Sequence, residues 1–443
     1  MVKANCSKLI FYGMSIVNVI TSLWLGINYV TYIEVLVLLV LLILRKISIV
    51  DFLLYSLFIP NKYLQLLCTL IYLIITRKII LRTLQKSEAI FIIYITLIGI
   101  MNCFVYNGLI ISTLFQIGLY YSLLRLMDSF ERDIEIKNVY EFLDAMFILQ
   151  LITSLIEFLY FKSFGDCMTG TLISAHYFGA FLVIYVFVIL KIIHPKVFRI
   201  GRLIRVILAI LCLYLSDAKH VWVLFIFAAM IVKILKLMKI KNKITFSVLS
   251  MTIIIVLFVG ISQTSTAKEI LSKNRFINTY VYNTKYNKKM QFFSNTFEEM
   301  KGINGLIGFG VGQYGSQISI TMSKGQIYDW NNNLNKYKYA IGPYSNAMNG
   351  LMTKEYSLVG IGMSSMIMGY PLVSFIGMLA ELGIIGFIML IRIFDKNYQK
   401  YNVEFLLAFI MMTLFDTYLE IPCVLILVLV ATFINKNTNR VYL

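Results

Sequence analysis

The chain has 443 residues, of which 59% are hydrophobic and only 14% are charged. Because soluble globular domains have about 25% charged residues, this composition excludes a soluble enzyme, and it excludes a nucleic-acid-binding protein despite the net charge of +18. It predicts an all-α polytopic membrane protein, whose Lys and Arg residues collect on the cytoplasmic side.

The apolar residues fall in blocks near the length of about 20 residues that a helix needs to cross the hydrocarbon core. The candidate spans are, in chain order, 9–25, 29–44, 48–59, 62–76, 88–105, 108–126, 140–161, 172–193, 203–216, 219–238, 244–262, 372–394, 403–418 and 421–435. Several are short, so we expect about 12–14 transmembrane helices. The pair 48–59 and 62–76, split at Pro60 and Asn61, is compatible with a tight hairpin, a re-entrant pair or one continuous span.

Basic residues predict the orientation of these spans. With the N-terminus inside, 26 of the 40 Lys and Arg residues fall on the cytoplasmic side, three fall in short outer loops and 11 fall in one long segment. Long translocated loops escape the positive-inside rule, so we expect both termini to be cytoplasmic and the first span to remain as a signal anchor.

The predicted organisation has three parts: an N-terminal transmembrane bundle at 1–262, a large extracytoplasmic loop at 263–371 and C-terminal transmembrane helices at 372–443. No two of the six cysteines are closer than 35 residues, which argues against a disulfide framework and against a metal site. Four of them lie inside apolar segments, where cysteine behaves as a small hydrophobic residue. We expect neither a metal nor a cofactor.

The segment 263–371 carries 11 basic and five acidic residues and 12 of the 25 glycines. Loops of this length are uncommon and usually functional. Apolar residues at three- and four-residue spacing predict a helix over 285–300. Arg275, Tyr282 and Lys289 are seven residues apart and would share a face if that helix began early.

A glycine-rich run follows, from Gly305 to Gly315. A nucleotide-binding loop would need a preceding strand and a following helix, which the pattern does not indicate. The run favours a tight turn or close backbone packing. The alternative is that its backbone N–H groups face an anion.

Ionisable residues inside spans tend to mark function. Those predicted near the outer ends of spans are Glu34, Glu157, Asp217, Lys219, Glu381, Asp416 and Glu420, with His176 and His220. We interpret Glu34 and Glu157 as interfacial residues that snorkel to headgroups or water. The turn from Ser216 to His220 lies between two spans and contains two donors, Lys219 and His220, and one acid, Asp217. It is therefore a candidate site. Glu381 lies about 13 Å along its span, so we expect it to pair with a base.

Four segments together resemble a known family: Thr169-Gly170-Thr171 through His176 and Gly179; Leu215-Ser216-Asp217-Ala218-Lys219; Asn274-Arg275 with Gly308-Phe309-Gly310-Val311-Gly312; and Glu381-Leu382-Gly383-Ile384-Ile385-Gly386. They look like the TGT region, the Ser-x-Ser-Arg turn, the loop Arg with GxGxG and the E-x-G-x-x-G span of the O-antigen polymerase/ligase superfamily, whose members are C-type glycosyltransferase-like. The closest likeness is to the Wzy-type polysaccharide polymerases, over roughly residues 165–395. Lys219 departs from the family's Arg, and the loop contains no histidine, which favours the polymerase over the ligase.

The resemblance implies a metal-independent, inverting glycosyltransferase of the bacterial inner membrane. It would join undecaprenyl-pyrophosphate-linked oligosaccharide repeats into O-antigen or capsular polysaccharide. The partners that it implies are membrane lipid, a flippase and chain-length regulator proteins, and nucleic acid is not among them. Lys219, Arg275 and Lys289 would bind the pyrophosphate, and Asp217, His220, His176 and Glu381 are the candidate proton acceptors. An O-antigen ligase and a lipid-linked oligosaccharide flippase or transporter are the alternatives.

Overall fold

The computed structural model describes residues 2–25, 29–77, 84–106, 110–133, 136–162, 168–172, 174–192, 200–216, 284–314, 374–396 and 421–437. Across these ranges the secondary structure is helical, without a strand. Four helices in them are long and apolar enough to cross a membrane: Lys86–Val105, Ile110–Met127, Glu141–Phe161 and Phe375–Phe394. The prediction of a helical chain with candidate membrane-spanning helices is confirmed, whereas the full number of spans and the extent of the long loop stay predictions.

The helices of the described ranges are α1 (Val2–Leu25), α2 (Val30–Ile43), α3 (Ile49–Ser56), α4 (Lys62–Ile75), α5 (Lys86–Val105), α6 (Ile110–Asp133), α7 (Ile136–Phe161), α8 (Ala175–Ile192), α9 (Ile200–Leu215), α10 (Thr284–Glu299), α11 (Ile303–Ile307), α12 (Ser374–Lys396) and α13 (Pro422–Asn437). All but α11 fall on a predicted apolar block or on the predicted loop helix. The predicted spans 219–238, 244–262 and 403–418 lie outside the described residues.

Basic residues end three of these helices. Arg45, Arg77 and Lys162 follow α2, α4 and α7 and have positive φ angles of 53°, 53° and 52°. In this left-handed conformation the backbone N–H groups turn back onto the last carbonyls, as the Arg45 N–H does to the Leu42 carbonyl. A cation there also complements the negative end of the helix dipole. The residues that we assigned to topology therefore also terminate helices.

The segment 48–76 forms two helices, so a single continuous span is excluded. A capping box between Ser48 and Asp51 starts α3, which has eight residues and ends well before Pro60. Eight residues rise only about 12 Å, too little to cross a core about 30 Å thick. The Gln65 amide nitrogen donates to the carbonyls of Leu57 and Ile59 at 3.0 and 2.7 Å, which satisfies backbone groups between the two helices.

Helix α8 lies at the centre of the packed core. Its residues from Phe178 to Ile189 are buried on every side, and it contacts α7, α9 and α13. A polar clamp joins it to its neighbours, because the Tyr185 hydroxyl donates to Asp144 at 2.8 Å and Arg205 forms an ion pair with the same carboxylate. Cysteines pack among the buried residues as expected, at Cys68, Cys103, Cys212 and Cys423.

Candidate active site at a broken helix

Helix α12 is interrupted at Gly383, its tenth residue, which has φ 64° and ψ 178°. In a continuous helix the carbonyls just before this point would accept hydrogen bonds from N–H groups four residues later. The break lies about 13 Å along the helix from Ser374. Interrupted backbone at such a depth in a span is tolerated where protein packs against it or where it lines a water-filled cavity, and such breaks often mark sites.

Groups from distant parts of the chain bond to the three carbonyls that precede the break. These contacts are Phe309 N–H to Ala380 O at 2.8 Å, Gly310 N–H to Glu381 O at 3.0 Å and the Tyr94 hydroxyl to Leu382 O at 2.9 Å. The glycine-rich run of the long segment is therefore inserted into the helix break and completes its hydrogen bonding.

Two glycines permit this close approach. Gly308, with φ 81°, lies against Gly383, so that a Cβ on Gly308 would stand 2.3 Å from the Glu381 carbonyl oxygen and 2.5 Å from the Gly383 nitrogen. A Cβ on Gly383 would stand 2.3 Å from the Gly308 nitrogen. Real Cβ atoms cannot occupy such positions, and positive φ also disfavours other residues. The prediction of close backbone packing for the glycine run is confirmed.

The alternative, that the N–H groups of this run face an anion, is wrong for five of them. Their acceptors all belong to the protein: Gly308 N–H bonds Asn304 O, Phe309 N–H bonds Ala380 O, Gly310 N–H bonds Glu381 O, Gln313 N–H bonds Gly310 O and Tyr314 N–H bonds the Glu381 carboxylate. These five donors are used to hold the loop in place.

Polar side chains of α5 and α6 form the socket for the run. Asn102 donates to Gly308 O at 3.0 Å, and Ser112 donates to Gly312 O at 2.8 Å. The Tyr94 hydroxyl also lies 2.8 Å from Ile307 O, so its single proton serves either this carbonyl or that of the broken helix. Sequence reasoning missed Tyr94, Asn102 and Ser112. The only available signal was a polar group in an otherwise apolar block.

Glu381 itself is only 4% exposed. Its Oε1 accepts the Tyr314 N–H at 3.2 Å, and the Tyr314 ring stacks on Phe309 with ring centroids 5.0 Å apart. The Tyr314 hydroxyl donates to Thr296 of α10 at 2.9 Å. Glu381 thus ties the loop to α12, whereas its expected pairing with a base stays a prediction.

The other predicted site residues are only partly covered by the structure. His176 is the second residue of α8 and is partly exposed, and its backbone N–H lies 3.2 Å from the Ser174 hydroxyl. Lys289 lies on α10, and the prediction of that helix is confirmed. The remaining four candidates, Asp217, Lys219, His220 and Arg275, lie outside the described residues. Tyr282 does so too, and the face that it would share with Arg275 and Lys289 stays a prediction.

The Thr169-Gly170-Thr171 turn ahead of His176 is held by buried side chains of α7. Glu157 accepts the N–H groups of Thr169 and Gly170 at 2.9 and 2.8 Å, and it also accepts the Thr169 hydroxyl. Gln150 accepts the Thr171 N–H at 2.9 Å. The interpretation of Glu157 as a snorkelling residue is therefore wrong, because its side chain is 3% exposed and holds a backbone turn.

Glu34 requires the same correction. It is 1% exposed, and it accepts hydrogen bonds from Ser15 at 2.5 Å and from Asn18 at 2.9 Å. Asn18 also pairs with Thr31 at 3.3 Å. A buried carboxylate is stable only with such partners, and these bonds tie α1 to α2.

Comparison with known proteins identifies no relative: no family model, curated protein or solved structure matches the chain. The interpretation of the site therefore depends on its own geometry and on the sequence resemblance.

Proposed function

We propose that this protein is a membrane glycosyltransferase that polymerises undecaprenyl-pyrophosphate-linked oligosaccharide repeats at the outer face of the bacterial inner membrane, with both termini cytoplasmic. The observation that carries the proposal is the insertion of the Gly308–Gly312 run into the break of α12. Two of the four segments that carry the family resemblance meet there, although about 70 residues separate them in the sequence.

The same contact argues against the transporter alternative. In secondary transporters, carbonyls exposed by a broken helix coordinate the transported ion. Here the three carbonyls before the break already accept hydrogen bonds from the loop and from Tyr94. Protein therefore fills the break, and these hydrogen bonds fix the loop against the spans. A loop fixed in this way suits a catalytic scaffold.

In the proposed reaction a sugar hydroxyl of one lipid-linked repeat attacks the anomeric carbon of the growing chain. A new C–O bond forms as the bond to undecaprenyl pyrophosphate breaks, and configuration inverts. The pyrophosphate leaves with the bonding electron pair, and Lys219, Arg275 and Lys289 stabilise its charge. The hydroxyl proton passes to a side-chain base.

We assign Glu381 to holding the loop, since its carboxylate is buried and bonded to the Tyr314 N–H. Proton acceptance then falls to His176, which is partly exposed, or to Asp217 or His220. Glu381→Gln keeps an oxygen for the Tyr314 N–H and should retain most of the activity, whereas Glu381→Ala should lose it. Equal inactivity of both variants would contradict this assignment.

The experiment that tests the function uses lipid-linked repeats extracted from cells that lack the protein. Purified protein in proteoliposomes should convert them into a ladder of lipid-linked chains, each longer by one repeat. Transfer of a repeat to a core-lipid acceptor without elongation would instead identify a ligase. Movement of the lipid across the bilayer without elongation would identify a flippase.

A further inference from the structure

The helical turn α11 lies at the depth of the membrane spans. The Leu306 carbonyl oxygen would stand 2.5 Å from a Cβ on Gly383, and Gly383 is the tenth residue of α12. The Ile307 carbonyl lies 2.8 Å from the hydroxyl of Tyr94, the ninth of 20 residues in α5. Both contacts are with the middle of a candidate span, so α11 is about 13 Å below the nearer end of α12.

Charged residues stop where this insertion begins. Lys301 is 71% exposed on its side chain and pairs with the exposed Glu298. From Gly302 to Tyr314 the sequence contains no charged residue, within a segment that otherwise carries 11 basic and five acidic side chains. The boundary between polar and apolar surroundings therefore falls between Lys301 and Ile303.

Two apolar side chains just beyond this boundary are uncovered. Ile303 is 68% exposed and Leu306 is 51% exposed. They are spaced by three residues and share one face of the turn. On α12, against which α11 packs, the exposed residues in the first two turns after the break are also apolar, at Ile384, Ile385 and Ile388. The next exposed residue is Arg392, nearer the C-terminal end of the helix.

We propose that α11 is a membrane-embedded re-entrant turn, and that Ile303 and Leu306 contact the hydrocarbon chains of the bilayer lipids. The depth of the turn, the charge boundary at Lys301 and the apolar exposed face of α12 beside it all fit this partner. Non-helical backbone beside the turn is then shielded from lipid by α5, α6 and α12, as a low-dielectric surrounding requires. The inference concerns the surface of the protein and does not depend on the proposed function.

The test is site-specific photocrosslinking of the full-length protein. A diazirine-bearing amino acid replaces Leu306, and the protein is irradiated in vesicles of palmitoyl-oleoyl phosphatidylcholine and phosphatidylglycerol. Mass spectrometry of the peptides then identifies the adduct. We expect a phospholipid adduct at position 306 with at least five times the yield at Lys301, and comparable to the yield at Leu97, an exposed residue of the apolar helix α5.

Other adducts would overturn the proposal. Water adducts alone at position 306 would mean that the turn lines an aqueous cavity, and crosslinked dimers would mean that a second copy covers it. The same replacement at Ile303 provides a second site if the variant at Leu306 misfolds. Folding of each variant is checked by protection of the fully buried Phe309 from chymotrypsin.

Discussion

Gly308→Ala should expel the glycine run from the helix break. The added Cβ would stand 2.3 Å from the Glu381 carbonyl oxygen and 2.5 Å from the Gly383 nitrogen, and both are backbone atoms that cannot rotate away. Undocking of the run breaks four hydrogen bonds: those of Phe309 and Gly310 to α12, that of Asn102 to Gly308 and that of Ser112 to Gly312. At about 1 kcal/mol each, these bonds total about 4 kcal/mol. The ratio of undocked to docked protein should therefore rise about 10³-fold, since each 1.4 kcal/mol is a factor of ten.

Chymotrypsin cleavage after Phe309 measures this equilibrium, because Phe309 is fully buried in the docked state. When opening is fast relative to cleavage, the cleavage rate follows the open population. Purified Gly308→Ala protein should be cut far faster than wild type until the rate saturates. The matched control is Gly201→Ala, where a Cβ would meet nothing within 4 Å, and it should behave as wild type. Wild-type protection of Phe309 in Gly308→Ala protein would refute the reasoning.

Three further predictions concern other parts of the site. Tyr94→Phe removes the hydroxyl that serves two buried carbonyls, so it should destabilise the docked loop by about 1–3 kcal/mol in the same cleavage assay, whereas Tyr32→Phe, on an exposed side chain, should have no effect. Glu157→Ala leaves two backbone N–H groups without their acceptor, so it should clearly lower the Tm of the detergent-purified protein. Glu157→Gln retains an accepting oxygen, and its Tm should stay close to that of wild type. An equal loss of Tm in the Gln variant would show that the charge itself is needed. Arg275→Ala should reduce repeat polymerisation about 10²-fold or more at normal protein levels. Lys219→Ala should also be inactive, whereas Lys219→Arg should remain active. Near-normal chain lengths in both alanine variants would show that these residues do not bind the pyrophosphate.

The sequence determined the helical elements, because their signal is local. A block of apolar residues near 20 in length has few alternatives to a helix, and α2, α4, α5 and α13 begin and end within two residues of their predicted spans. The helix α10 was predicted with similar accuracy from its repeating apolar residues. The close packing of the glycine run was also predictable, since glycine alone tolerates such backbone contact.

What the sequence did not contain was the partner of each polar group. In the sequence, Glu34 and Glu157 both have the features of acids at the membrane interface. In the structure, each is buried and accepts hydrogen bonds from another segment. The role of Tyr94 depends on carbonyls more than 200 residues away in the chain. Only the tertiary structure decided these pairings, because a buried hydrogen bond depends on which segments meet in space. Burial of an apolar side chain needs only an apolar surrounding, which many arrangements of the same helices supply.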